Sequence, residues 1–135
     1  MNSLNMSADA NEHVVYAAER ARLLFGCYRS GDAIDPRTYV AAVTVVLAEF
    51  DRSVIDRVTD PVRGIARKLK FMPSIAELFD ECGRIASVID GERIIAEREA
   101  QGFQWLESAK DGRLGFYNAQ GDKYRPVLVS ALRSQ

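Results

Sequence analysis

Apolar residues recur along the chain at intervals of three and four, and proline, glycine and capping residues interrupt that rhythm at a few points. The pattern predicts a succession of amphipathic helices. Val14, Ala17, Ala18, Ala21, Leu24, Phe25 and Tyr28 form the first stripe, with Glu19, Arg20, Arg22 and Arg29 off it. Residues 1–7 are polar and expected to be disordered, Asp9 with Glu12 offers a cap, and the helix should end near Gly31. Asp35-Pro36 then supplies an N-cap and a proline at the first helical position, where a missing N–H is harmless. The second stripe is Tyr39, Val40, Val43, Val46, Leu47 and Phe50. Its β-branched residues permit a strand, but the length and the proline start favour a buried helix. A short third helix capped by Asp51 or Ser53 runs through Val58, and Thr59-Asp60-Pro61 breaks it, so that DPVRG reads as a turn.

The stretch KFMPSIAEL, residues 70–78, is a helix start. Ser74 and Glu77 have capping-box spacing, Pro73 stops the helix from extending backwards, and Phe71 or Met72 is placed to staple against Leu78. Ile75, Leu78, Cys82, Ile85 and Ile89 continue the stripe. Past Gly91 the segment GERIIAEREAQ stays helix-prone, which predicts one long helix, kinked near Gly91, reaching about Lys110. After that the character changes. GRLGFY and KYRPVLV flank the turn-like NAQGD, so residues 111–135 read as a short β-hairpin or a loosely attached tail, with Pro126 keeping the second strand at an edge. The expected fold is mainly α: a small helical bundle over residues 1–110 with one long C-terminal helix, followed by that hairpin or tail.

Composition narrows the function without naming one. A chain of 135 residues, 47% hydrophobic and 27% charged, suits a single soluble domain. No apolar run approaches the roughly 20 residues that span a bilayer. The N-terminus shows no secretory pattern, so the cytoplasm is expected, and Cys27 and Cys82 are expected to be reduced, half-buried small hydrophobes. One histidine, His13, reads as an ordinary surface side chain, and there is no CxxC, HExxH or phosphate-binding glycine loop. No metal, cofactor or catalytic residue is expected. The carboxylates Glu77, Asp80 and Glu81, and Asp51, Asp56 and Asp60, read as solvated helix faces and dipole-favoured acids rather than acid–base machinery.

A net charge of −1 argues against general nucleic-acid coating but decides little, and Arg63, Arg67, Lys68 and Lys70 form a local basic cluster able to neutralise a few phosphates. Phe103, Trp105, Phe116, Tyr117 and Tyr124 lie among Arg113, Lys123 and Arg125. Such aromatics can stack bases, fill a small core under the hairpin, or dock a protein partner.

The string YVAAVTVVLAEFDRSVIDRVTDPVRGIARKLKFMPSIAELFDECGRI resembles phage and prophage replication accessory proteins, specifically the helical domain of replicative-helicase loader/inhibitor proteins. The shared grammar is a helix with Tyr39 and Leu47, then FDRSVIDRV, a turn, and the start formed by Phe71, Pro73, Ser74, Ile75, Ala76, Glu77 and Leu78. The likeness covers about residues 35–90. It implies a non-enzymatic adaptor that grips a ring-shaped helicase, with contact made by the C-terminal part, about Glu92–Gln135 by position. No motif matches there. Within the start, Phe71, Pro73, Ser74 and Glu77 read as structural, with Pro73, Ser74 and Glu77 forming the cap. The alternatives are a small nucleic-acid-binding module that uses Arg63, Arg67, Lys68 and Lys70 with the C-terminal aromatics, and a virion or packaging protein that forms a homo-oligomer.

Overall fold

In a computed structural model, residues 3–29, 31, 33 and 35–125 are described, the side chains of 3–7 excepted. Five helices and two strands follow in order: α1 (Ser3–Gly26), α2 (Pro36–Ala48), α3 (Arg52–Thr59), α4 (Ile65–Lys68), α5 (Ile75–Ala100), β1 (Gln104–Glu107) and β2 (Leu114–Tyr117). The mainly helical fold with a C-terminal hairpin agrees with the sequence pattern. Contacts divide the chain into two compact units, residues 1–89 and 90–135.

In the first unit α1 packs chiefly on α2 and also on α3. The core is drawn from each stripe: Ala17, Ala21 and Leu24, then Val43, Val46 and Leu47, then Val54, Ile55 and Val58, with Ile65, Leu78 and Cys82. Val14, placed on the first stripe, is 48% exposed, and α1 begins at Ser3 instead of at an Asp9 cap. Nothing between Ser3 and Asp9 is a proline or glycine, so nothing halts the helix there. Asp35 caps α2 as expected: its carboxylate accepts from the Thr38 N–H at 3.2 Å and the Thr38 hydroxyl at 2.7 Å. Asp51 occupies the N-cap of α3 without a side-chain cap bond.

The turn after α3 is organised by Asp60, whose carboxylate accepts from the backbone N–H groups of Val62 (2.8 Å) and Arg63 (3.1 Å). Those two N–H groups hold the Asp60 carboxyl below the ordinary range. A buried polar pair ties α1 to α3. Thr59, fully buried, donates its hydroxyl to the Ile55 carbonyl at 2.6 Å and accepts from Arg20 Nε at 2.8 Å. Arg20 thus satisfies a hydroxyl that burial would otherwise penalise.

The capping box is present in full. The Ser74 N–H donates to Glu77 Oε1 at 2.9 Å, and the Glu77 N–H to Ser74 Oγ at 3.1 Å. The staple is not Phe71, which is 71% exposed. Pro73 is buried instead, and the Tyr39 hydroxyl donates to its carbonyl at 2.9 Å, so the second helix sets the entry of the fifth.

Helix α5 passes through Gly91 as continuous helix and stops at Ala100, well short of Lys110. Gly102, at φ +88°, is the reason. The Phe103 N–H bonds back to the Arg98 carbonyl (2.9 Å) and the Gly102 N–H to the Glu99 carbonyl (2.9 Å), the paired bonds of a Schellman stop. Residues beyond it are therefore free to form β1. β1 pairs antiparallel with β2, with Trp105 opposite Phe116 and Glu107 opposite Leu114. GRLGFY is a strand as expected, but its main partner is QWLE. KYRPVLV contributes one bridge, Tyr117 to Lys123, and Pro126 and the residues after it lie outside the described residues.

Candidate functional site

The second unit is assembled around Arg98, from the last turn of α5. Its guanidinium lies 4.7 Å from the Phe116 ring centre and 4.4 Å from that of Tyr124. Trp105 meets Phe116 edge-on at 5.1 Å, and Phe103 meets Tyr124 edge-on at 5.3 Å. Four of the five aromatics singled out in the sequence, Phe103, Trp105, Phe116 and Tyr124, therefore belong to one local cluster, with a cation between its two halves, while Tyr117 alternates to the other strand face. Phe116 and Tyr117 are each only 7% exposed, and Phe116 is the buried centre of the cluster, while Phe103 and Tyr124 are half-buried. Trp105 is different: it stands 58% exposed.

Side chains on paired strands share a face at opposed positions. Trp105, Phe116, Glu107 and Leu114 consequently lie on one face, where Leu114, opposite Glu107, is 64% exposed. Two tight turns hold the strands. Gly112 at φ +70° closes the first, where the Ser108 N–H donates to the Arg113 carbonyl at 2.8 Å. In the second, Asn118 Oδ1 accepts from the N–H groups of Gln120 (3.1 Å) and Asp122 (2.8 Å). Among the described residues β1 has no strand neighbour other than β2.

The basic cluster lies in the first unit, around α4. Arg63, Arg67, Lys68 and Lys70 are all exposed. Lys68 is engaged, since its ammonium pairs with Glu81 at 3.0 Å. Glu81 also takes the guanidinium of Arg84, which holds its carboxyl below the ordinary range, with Lys68 adding to the effect. Lys70 sits 5.7 Å from the centre of the Phe71 ring. Beside it is a cavity of about 250 Å³ lined by Cys27, Tyr28, Arg29, Leu69, Lys70 and Phe71. The C-terminal aromatics belong to the other compact unit, and the aromatic that accompanies the basic cluster here is Phe71.

The remaining candidates have structural tasks. Glu77 caps α5, Asp56 accepts the Tyr16 hydroxyl and pairs with Arg20 at 3.9 Å, and Asp60 organises its turn. Among the described residues no group of three or more His, Cys, Asp or Glu side chains is placed to hold a metal ion. His13 is half-buried, not a free surface side chain: its Nε2 donates to the Ala48 carbonyl at 3.1 Å, satisfying an end group of α2. No helix of the described residues is long and apolar enough to cross a membrane.

Both cysteines are free, but they differ from each other and from the half-buried pair expected. Cys27 is exposed; Cys82 is fully buried, and burial, helped by the Glu81 charge, pushes its thiol up to about 12. Because the thiolate is the nucleophile, only Cys27 should react with a disulfide reagent in the native protein near pH 8. One equivalent is expected to react quickly and the second only after denaturant is added. Two fast equivalents would contradict the buried position of Cys82.

No family model, curated protein or solved structure matches the chain. Three features of these surfaces escaped the sequence reading. In the sequence Leu114 stands only within GRLGFY, Phe71 is a candidate staple, and Arg29 is a charge off the first stripe. Pairing register and folding across the chain reveal them.

Proposed function

We propose that the protein is a non-enzymatic adaptor that docks a protein partner through its C-terminal hairpin. The partner class is the replicative helicase, in the manner of phage-derived loader or inhibitor proteins. The observation that carries the docking element is the exposed Trp105–Leu114 pair on one face of β1 and β2. Tryptophan seldom stands so open without a partner, and it is the residue type most enriched where binding energy concentrates. The cluster beneath it, with Arg98 between Phe116 and Tyr124, holds the presented ring on a supported strand. The helicase assignment rests on the likeness of residues 35–90 to the loader/inhibitor grammar, with the capping box at Ser74 and Glu77 as its most recognisable part.

The test mixes the protein with the replicative helicase of its source, with and without ATP, and reads complex mass by size exclusion with light scattering. A defined complex is expected. Trp105→Ala with Leu114→Ala should weaken it by more than about 30-fold, the size of a hot-spot loss. No complex in any nucleotide state at tens of micromolar would sink the helicase reading. Self-association of the protein alone, abolished by the same double substitution, would instead favour the homo-oligomeric virion or packaging role.

A further inference from the structure

The exposed surface around Phe71 has a composition that the docking reading does not use. Phe71 is 71% exposed, more than any other large hydrophobic side chain of those described. Most of the Phe71 ring is open to solvent, so burial supplies little reason for a phenylalanine in that position. Lys70 approaches the ring at 5.7 Å, and Arg29, far away in the sequence, reaches the same cavity of about 250 Å³ from the end of α1. Arg67 is exposed on α4 and forms no ion pair among the described residues. Lys68, by contrast, is neutralised by Glu81 at 3.0 Å and drops out of the site. The nearby Glu77 carboxylate is occupied by the Ser74 N–H.

The geometry points to a binding site for single-stranded nucleic acid, with an unpaired base on the Phe71 ring and backbone phosphates on Arg29, Lys70 and Arg67. An open aromatic ring flanked by cations matches the two demands of a single strand. Every base has a face that stacks, and every nucleotide carries a charge that a lysine or arginine neutralises. A duplex satisfies only the second demand, because its bases are already stacked on one another. Tyr28 and Leu69 also line the cavity and add an aromatic and an apolar surface beside the charged groups. The site lies within residues 1–89 and does not depend on the hairpin docking face.

Fluorescence anisotropy with labelled oligothymidine and oligouridine, each about 12 nucleotides long, tests it, with a duplex of equal length as comparison. Saturable binding to the single strands in about 50 mM salt is expected. With three phosphates neutralised, log K should fall with log salt at a slope near −2, since each contact on a single strand contributes about −0.7. Phe71→Ala should weaken binding about tenfold with the slope unchanged. Arg29→Ala and Lys70→Ala should each lower the slope magnitude by about 0.7. Lys110→Ala, in the other unit, should change neither. Thermal melts keep the comparison clean, because Phe71→Ala removes an exposed ring and should leave the transition in place. Absence of saturable binding at tens of micromolar protein would overturn the proposal. So would equal affinity of the Phe71→Ala variant, equal affinity for the duplex, or equally tight displacement by polyglutamate, which would mark an acidic protein as the occupant.

Discussion

Gly64→Ala is expected to unfold or severely destabilise the helical unit, although glycine there has an ordinary negative φ of −89°. The obstacle is space. A Cβ at this position would meet the backbone carbonyl oxygens of Val58 at 2.2 Å, Asp60 at 2.6 Å and Arg57 at 2.8 Å. All three are main-chain atoms at the end of α3, so no side chain can rotate away. The Gly64 N–H also donates to the Asp60 carbonyl at 2.8 Å, which draws the backbone into this close approach. Relief requires α3 to retreat from the turn, and α3 carries Val54, Ile55 and Val58 in the core. Overpacking a flexible site costs about 1–3 kcal/mol; three backbone overlaps place this change at about 3 kcal/mol or more. For a unit of this size that is a fall in melting temperature of more than about 12 °C. Gly83→Ala is the matched control. Its added Cβ meets nothing within 4 Å inside α5, so it should stabilise by about 0.5–1 kcal/mol through helix propensity. Equal effects of the two substitutions would refute the packing argument.

Gly64 also shows where sequence reading reaches its limit. DPVRG is legible as a turn because proline and glycine act on neighbouring residues, and the same holds for Asp35-Pro36 and the Ser74–Glu77 box, whose spacing alone specifies their hydrogen bonds. The closeness of Gly64 to the carbonyls of α3 is a product of the fold. Gly102 was legible in principle, since a glycine after EREAQ is a helix stop; the charged, helix-prone residues around it outweighed that single signal. Missing that stop hid β1, and with it the face shared by Trp105 and Leu114. The stripes, by contrast, located the core well, because burial of one helical face is a local consequence of periodicity. Arg20 and Arg29 mark the opposite case. Both lie off the first stripe, yet one satisfies the buried Thr59 hydroxyl and the other lines the Phe71 cavity. Such roles depend on residues about 40 positions away, which no window along the chain contains.

The candidate surfaces follow the same division. Aromatic and basic residues were visible as types, but burial sorted them. Phe116 became support for Trp105, Tyr117 is buried on the other strand face, and Lys68 was removed from the basic group by Glu81. Exposed apolar side chains remain at several places, Val45 and Val62 at 65% among them; Trp105 and Leu114 are set apart by a shared strand face, and Phe71 by the cations around its ring.

Leu78→Ala should produce the second large effect, and it separates the core of the KFMPSIAEL start from its surface. Leu78 is fully buried one turn into α5, in the same cluster as Leu24, Leu47 and Ile55. Truncation removes its buried methyl groups and leaves a cavity that close-packed neighbours fill only in part, a loss of about 2–5 kcal/mol. That is a large share of the roughly 5–15 kcal/mol by which domains are stable. The adjacent Phe79 is 53% exposed and touches Phe50 edge-on at 5.8 Å, so Phe79→Ala should cost about 0.5–1.5 kcal/mol. Phe71→Ala should cost almost nothing. The ordering is best read by urea denaturation followed through helical circular dichroism, because the single tryptophan, Trp105, belongs to the other unit. A lower midpoint with an unchanged slope for Leu78→Ala would mark lost packing in an otherwise intact fold. If Phe71→Ala proved as costly as Leu78→Ala, the ring at 71 would be a folding residue, and the case for a ligand on it would fall with that result.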